Sequence, residues 1–174
     1  MLKSHSIFTI SLTFVHTNIV MTTLSIDEAI KSIHKMAIST KTVINIMYTS
    51  RIIEESITGI LKSHDLTIPQ YNVLRILRGQ KGNPANLSTL QERMIDKSSN
   101  TTRLVDKLIK KGWVNRQVCE KNRRKVEIFI TEKGLSILKE LDPITEQNNQ
   151  QILKKLSEKE LQLLNDLLDK LRSS

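Results

Sequence analysis

Ser98-Ser99-Asn100-Thr101-Thr102-Arg103-Leu104-Val105-Asp106-Lys107-Leu108, then Lys111-Gly112-Trp113-Val114, then Asn122-Arg123-Arg124 up to Ile130-Thr131-Glu132-Lys133-Gly134, is the stretch that decides the fold of this chain. In its first part Thr101, Leu104, Val105 and Leu108 recur at helical spacing and form one apolar stripe. Ser99, Asn100, Thr102, Arg103, Asp106, Lys107 and Lys110 are left on the solvent side. Gly112 supplies the left-handed residue that stops a helix. Beyond it the period falls to two, because Val126, Ile128 and Ile130 alternate with Glu127 and Phe129 as in a half-buried strand. Val114 to Val118 is the antiparallel partner, and the tip between the strands, Cys119 to Lys125, carries Lys121, Arg123, Arg124 and Lys125. Helix, glycine stop and basic hairpin follow one another without a break.

Charge points the same way. Residues 88–125 hold 11 Lys or Arg against 4 Asp or Glu, so they carry most of a whole-chain net charge of +9. Positive charge that is clustered rather than spread implies a polyanionic partner, nucleic acid or an anionic membrane surface, with a merely solvated basic face as the bland alternative. Aromatic residues are only 3% of the chain, and Leu and Ile carry its hydrophobicity, which favours helix over sheet. With 174 residues there is enough chain for one real core. Cys119 is the single cysteine, which excludes an internal disulfide and fits a reducing cytoplasm.

Outward from the centre, Ser25-Ile26-Asp27-Glu28 is a capping box opening a helix on which Ile26, Ile30, Ile33 and Ala37 recur. A longer pattern follows through Val43, Ile44, Met47, Ile53, Ile57, Ile60 and Leu61. Leu66-Thr67-Ile68-Pro69 ends that pattern, and a new helix runs from Gln70 to about Arg78. Gly79 to Pro84 is a loop, and Ser88 to Met94 a short helix. After the hairpin come helices at Thr131 to about Gln151 and Ser157 to about Arg172, the last with Leu161, Leu164, Leu167, Leu168 and Leu171 on one side. A terminal helix this rich in leucine needs a cover, and a second subunit is the economical one. The fold class is therefore mainly α with a small β-hairpin wing: a winged helix-turn-helix whose N- and C-terminal helices form a dimerisation region. Its expected divisions are 1–24 as an extension or misassigned start, 25–64 as N-terminal dimerisation helices, 66–130 as the DNA-binding lobe and 131–174 as C-terminal dimerisation helices. Ile7 to Val15 imitates a secretory leader, but it is too short to span a bilayer and shows no small-residue cleavage site.

This order of parts resembles the MarR family of bacterial transcriptional regulators over roughly Val43 to Leu171. The fragments that carry the resemblance are Leu66-Thr67-Ile68-Pro69-Gln70-Tyr71-Asn72-Val73-Leu74, Thr102 to Leu108, Gly112-Trp113-Val114 with Arg116, and Asn122-Arg123-Arg124 to Gly134. The resemblance implies a homodimer acting on double-stranded DNA, with Arg124 as the wing arginine and with Tyr48, Arg51 and Tyr71 bordering an effector cleft. One departure stands out: Asn122 occupies the place where the family has Asp, so a looser wing is expected.

The recognition-helix residues are then Ser98, Ser99, Asn100, Thr102, Arg103 and Lys107, with Asn100 and Arg103 aimed at base edges and Lys107 and Lys110 at phosphates. Ser98 is equally suited to capping, and Asp106 to tethering a nearby base. The function expected is a sequence-specific regulator, a repressor on a pseudo-palindromic operator, released by a small-molecule or oxidant effector. The alternatives are a winged-helix protein-interaction module and a nonspecific DNA-binding module. No cofactor, metal site, membrane role or enzymatic activity is expected, since His34 and His64 lack ligand-spaced neighbours and no nucleophile elbow or phosphate-cradling glycine loop occurs. An oxidant-sensing Cys119 lacks a resolving partner and is the weaker alternative to an incidental thiol.

Overall fold

The computed structural model describes residues 24–119 and 122–173, so residues 1–23 of the expected extension and Lys121 of the wing lie outside the described residues. In chain order the elements are α1 (Ile26–Ala29), α2 (Ile38–Lys62), α3 (Ile68–Gly79), α4 (Leu87–Arg93), α5 (Thr101–Lys110), β1 (Val114–Cys119), β2 (Asn122–Ile130), α6 (Glu132–Leu153) and α7 (Glu158–Arg172). They divide into two compact units, one ending at Asn45 and one running from Ile46 onward.

In the first unit the Ser25–Glu28 capping box forms as the spacing predicts: the Ser25 amide donates to Glu28 Oε2 at 2.7 Å. The helix nevertheless ends at Ala29 rather than continuing through Ala37. Lys31 takes φ 54, its amide bonds to the Glu28 carbonyl at 3.1 Å, and the Ser32 amide reaches back to the Asp27 carbonyl at 2.8 Å. That is a Schellman stop built on lysine where glycine is usual.

The same device closes α2 in the second unit. Asp65 has φ 53, and Leu66 bonds back to the Leu61 carbonyl at 3.0 Å, so the helix ends before Pro69 exerts its effect. Thr67 then caps α3, its side chain accepting from the Gln70 amide while Gln70 Oε1 accepts from the Thr67 amide at 3.1 Å. Gly112, with φ 72, ends the α5 turn as its identity requires, and the Trp113 amide bonds to the Leu108 carbonyl at 3.1 Å.

Leu61, Val73, Leu74, Leu90, Val105, Leu108, Val114, Ile128, Leu138 and Leu141 are among the residues that make one core between α3, α5, the hairpin and α6. The β1–β2 ladder sets Val114 opposite Ile130 and Arg116 opposite Ile128. A third, single-residue strand joins it where sequence spacing shows only loop: Ala85 exchanges both backbone hydrogen bonds with Ile128, at 3.0 and 2.8 Å. Arg78 to Asp142 at 2.6 Å, Ser56 to Asn148 at 2.7 Å and His64 to Glu140 at 3.0 Å fasten α6 to α3, to α2 and to the turn after α2. By contrast α7 buries none of its residues.

Candidate nucleic-acid interface

The surface that faces outward from α5 is assembled by local hydrogen bonds. Sequence spacing carries the helix back to Ser98, but it begins at Thr101, because an upstream carboxylate captures the intervening residues. Asp96 Oδ1 accepts from the Ser98 amide at 2.9 Å and from the Ser98 hydroxyl at 2.6 Å, and Asp96 Oδ2 accepts from the Ser99 hydroxyl at 2.8 Å. Such side-chain to backbone bonds compete with helix at the very residues that form them. The Ser98 hydroxyl above all, then that of Ser99 and the Ser98 amide, hold the Asp96 carboxyl below its ordinary range. A depressed carboxyl contributes order above its ordinary value and loses that contribution only as the pH falls through the depressed one, so the turn is intact at neutral pH.

Asn100 is the N-cap, its side-chain oxygen accepting from the Arg103 amide at 3.0 Å, and Thr101 is buried with its hydroxyl on Gln91. The first side chains that stand free of partners among the described residues are therefore Thr102 and Arg103, with Lys107 and Lys110 on the same exposed face one and two turns on. Asp106 on that face has a cation partner: Arg116 of β1 donates to its Oδ1 at 2.6 Å. This bond fixes β1 against α5. Replacing the carboxylate should loosen that relation while also removing a negative charge from the exposed cationic face of α5. We expect Asp106→Asn to weaken binding to a preferred duplex about 3- to 10-fold and to leave binding to random duplex unchanged or stronger, as measured by fluorescence anisotropy.

The wing is shorter at its tip than the sequence suggests. Cys119 pairs with Asn122 and Val118 with Val126, so Arg123, Arg124 and Lys125 belong to β2, in a stretch with no Cα partner on β1, rather than to the turn. Three consecutive cations hide the period of two, yet the backbone continues as strand.

Of the three residues expected to border an effector cleft, Tyr48 and Arg51 lie one turn apart on α2 and Tyr71 lies on α3. Tyr71 is buried, its hydroxyl 3.4 Å from Thr145 Oγ1 and its ring under Arg75; Arg51 pairs with Glu55 at 3.0 Å; Tyr48 is exposed. Neither described cleft is lined by any of them. His64 is engaged with Glu140, Cys119 is half-buried on β1, and no group of three potential metal ligands occurs among the described residues. No described helix is long and apolar enough to cross a membrane.

Residues 66–126, which run from the end of the α2 turn to the middle of β2, match the model of the MarR family. PecS of Dickeya dadantii, an HTH-type transcriptional regulator, is 30% identical over 122 residues, covering 68% of this chain and 72% of PecS. The chain belongs to the MarR family. SarZ of Staphylococcus haemolyticus, also an HTH-type transcriptional regulator, is 32% identical over 57% of this chain and 66% of its own length. Among solved structures, a cysteine-to-serine variant of Escherichia coli MarR complexed with operator DNA superposes with a TM-score of 0.66 at 25% identity, over 74% of this chain and 91% of that one. This MarR-family chain is thus a DNA-binding transcriptional regulator with the winged fold its residues predict, and its relatives are named as regulators rather than enzymes.

Proposed function

We propose that two copies of this MarR-family chain form a homodimer that occupies a pseudo-palindromic operator and represses by covering it. The observation that carries the reading is the exposed face of α5, where Thr102, Arg103, Lys107 and Lys110 stand together beside the cationic hairpin. Helices of this kind enter the major groove by their first turn, where an arginine pairs with guanine through two parallel hydrogen bonds. Arg103 holds that position, Thr102 flanks it, and Lys107 and Lys110 reach phosphates. Ser98, Ser99 and Asn100 act chiefly by shaping the turn, and the cationic strand residues Arg123 and Arg124 enter the flanking minor groove, where negative potential is concentrated.

Dimerisation follows from what α7 leaves uncovered. Leu163, Leu164, Leu167 and Leu171 are exposed by 57, 41, 55 and 67%, a leucine row that a lone helix would not keep in water. Leu164→Lys combined with Leu167→Lys is expected to give a folded monomer by sedimentation, with operator affinity reduced at least about 100-fold, since the second half-site contributes only through a linked partner.

Selection of bound duplexes from a random pool tests the function. A dyad whose half-sites are about one helical turn apart, or a multiple of it, supports the dimeric regulator. Recovery of unselected sequence with uniform retention favours a nonspecific DNA-binding module, and no recovery favours a protein-interaction module. An effector that spreads the two α5 helices past this spacing would release the site, and adding phenolic or oxidant compounds to the bound complex measures it.

A further inference from the structure

The turn that carries the chain from α4 into α5, residues 95–100, is held by side chains more than by its own backbone. Its one internal backbone hydrogen bond among the described residues, from the Ser99 amide to the Asp96 carbonyl, is long at 3.4 Å. Side chains from other elements grip it instead. Asn72 of α3 accepts the Ile95 amide on Oδ1 at 2.9 Å. Gln91 of α4 donates from Nε2 to the Lys97 carbonyl at 2.8 Å, and its Oε1 accepts the Thr101 hydroxyl. Lys97 in turn reaches the Glu92 carbonyl with its ammonium group.

Gln91 differs from the other two in reaching α5 itself. Thr101, the first residue of α5, is only 5% exposed, so its hydroxyl is withdrawn from water and bonded to Gln91. One side-chain amide therefore uses both its ends, the donor on the turn and the acceptor on the helix. Arg103 stands exposed two residues further on. The two kinds of DNA contact make unequal demands on this first turn. A guanidinium forming two parallel bonds to guanine holds only within about 0.5 Å and 10 to 20° of its productive geometry, whereas a lysine on its long stem follows a phosphate that moves.

We propose that Gln91 is a positioning residue for sequence reading: without touching DNA, it sets the rotation and depth of the first turn of α5 and so aims Arg103. The proposal rests on the operator reading given above. Gln91→Met keeps the length of the side chain and removes donor and acceptor together, which leaves the buried Thr101 hydroxyl unpaired.

Anisotropy with the full chain, on its selected duplex and on random duplex at several salt concentrations, tests the DNA side. Gln91→Met is expected to weaken the selected duplex about tenfold and to change random duplex less than about twofold. The log–log salt slope should stay unaltered, because no phosphate contact is lost. Thr101→Val should match it, the two combined should be no worse than either alone, and Thr101→Ser, which retains the hydroxyl, should bind as the unaltered chain does. A loss equal on both duplexes, an additive loss in the double variant, or no loss at all overturns the proposal.

Amide hydrogen exchange without DNA supplies an independent arm. In Gln91→Met the Arg103 and Leu104 amides should exchange at least about tenfold faster, while Val73 and Leu74 of α3 keep their protection. Unaltered exchange at Arg103 and Leu104 overturns the proposal, and so does protection lost at Val73 and Leu74 as well, which would make Gln91 a residue of the general fold. A chain that fails to discriminate between duplexes sinks the operator reading, and the exchange result still decides whether Gln91 holds α5.

Discussion

Raising the monovalent salt from about 50 to 200 mM is expected to weaken operator binding by roughly a thousand- to a hundred-thousand-fold, the range that release of counterions from 6 to 10 phosphates produces. The cause lies in the charge distribution: 11 Lys or Arg against 4 Asp or Glu fall within residues 88–125. Several of these cations have no partner among the described residues, Arg103, Lys107 and Lys110 among them, so their charge is available to phosphate. Arg103→Ala should behave differently from a phosphate contact. It is expected to cost about 1 to 3 kcal/mol on the preferred duplex and to blur discrimination at one base pair, while random duplex loses far less. Anisotropy titrations at several salt concentrations measure both effects. Equal losses on both duplexes would remove Arg103 from base reading, and a shallow salt slope would leave the cationic cluster unexplained.

The second large effect concerns folding. Gly134 sits in the first turn of α6 directly against the hairpin, where an added Cβ would lie 2.3 Å from the Trp113 carbonyl oxygen and 2.8 Å from Ile130 Cγ1. That oxygen cannot retreat, because it accepts the Thr131 amide at 3.0 Å and so anchors the junction of wing and helix. Gly134→Ala should therefore cost about 3 kcal/mol, at the upper end of overpacking effects. The melting temperature would drop by about 6 to 12 °C in a chain of this size. Gly59 supplies the control: it lies within α2, and a Cβ added there would meet nothing within 4 Å, so Gly59→Ala is expected to raise stability by about 0.5 to 1 kcal/mol. Thermal unfolding by circular dichroism distinguishes the pair, and a neutral Gly134→Ala would show that the hairpin is free to shift away from α6.

Features whose signal resides in one or two neighbouring residues were legible from sequence. Ser25 with Glu28 and Ser157 with Glu160 formed the capping boxes their spacing announces, Gly112 took the positive φ that its lack of a Cβ permits, and Thr101, Val105 and Leu108 turned inward. Illegible features depended on a residue adopting an unexpected conformation or on partners far apart in the chain. Lys31 and Asp65 end helices in the left-handed region without a glycine to mark them, and Ala85 joins the sheet by a single bridge, too short to show any period.

The site divides along the same line. The exposed face of α5 follows from its 3.6-residue period, whereas the withdrawal of Ser98 and Ser99 into the Asp96 turn reflects a local hydrogen-bond competition that periodicity does not express. Arg116 could be paired with Asp106 only once the strand had been laid beside the helix. Asn72 and Gln91 come from two elements, and only the packed chain places them on one turn.

Hydroxyl-radical footprinting of the full chain on its selected duplex tests most directly whether two α5 helices read one DNA. Two equal protected patches related by the dyad of the sequence, about one helical turn apart or a multiple of it, are expected, both vanishing together with Leu164→Lys and Leu167→Lys. A single patch, or protection that persists unchanged in that variant, would contradict a paired reading of the operator.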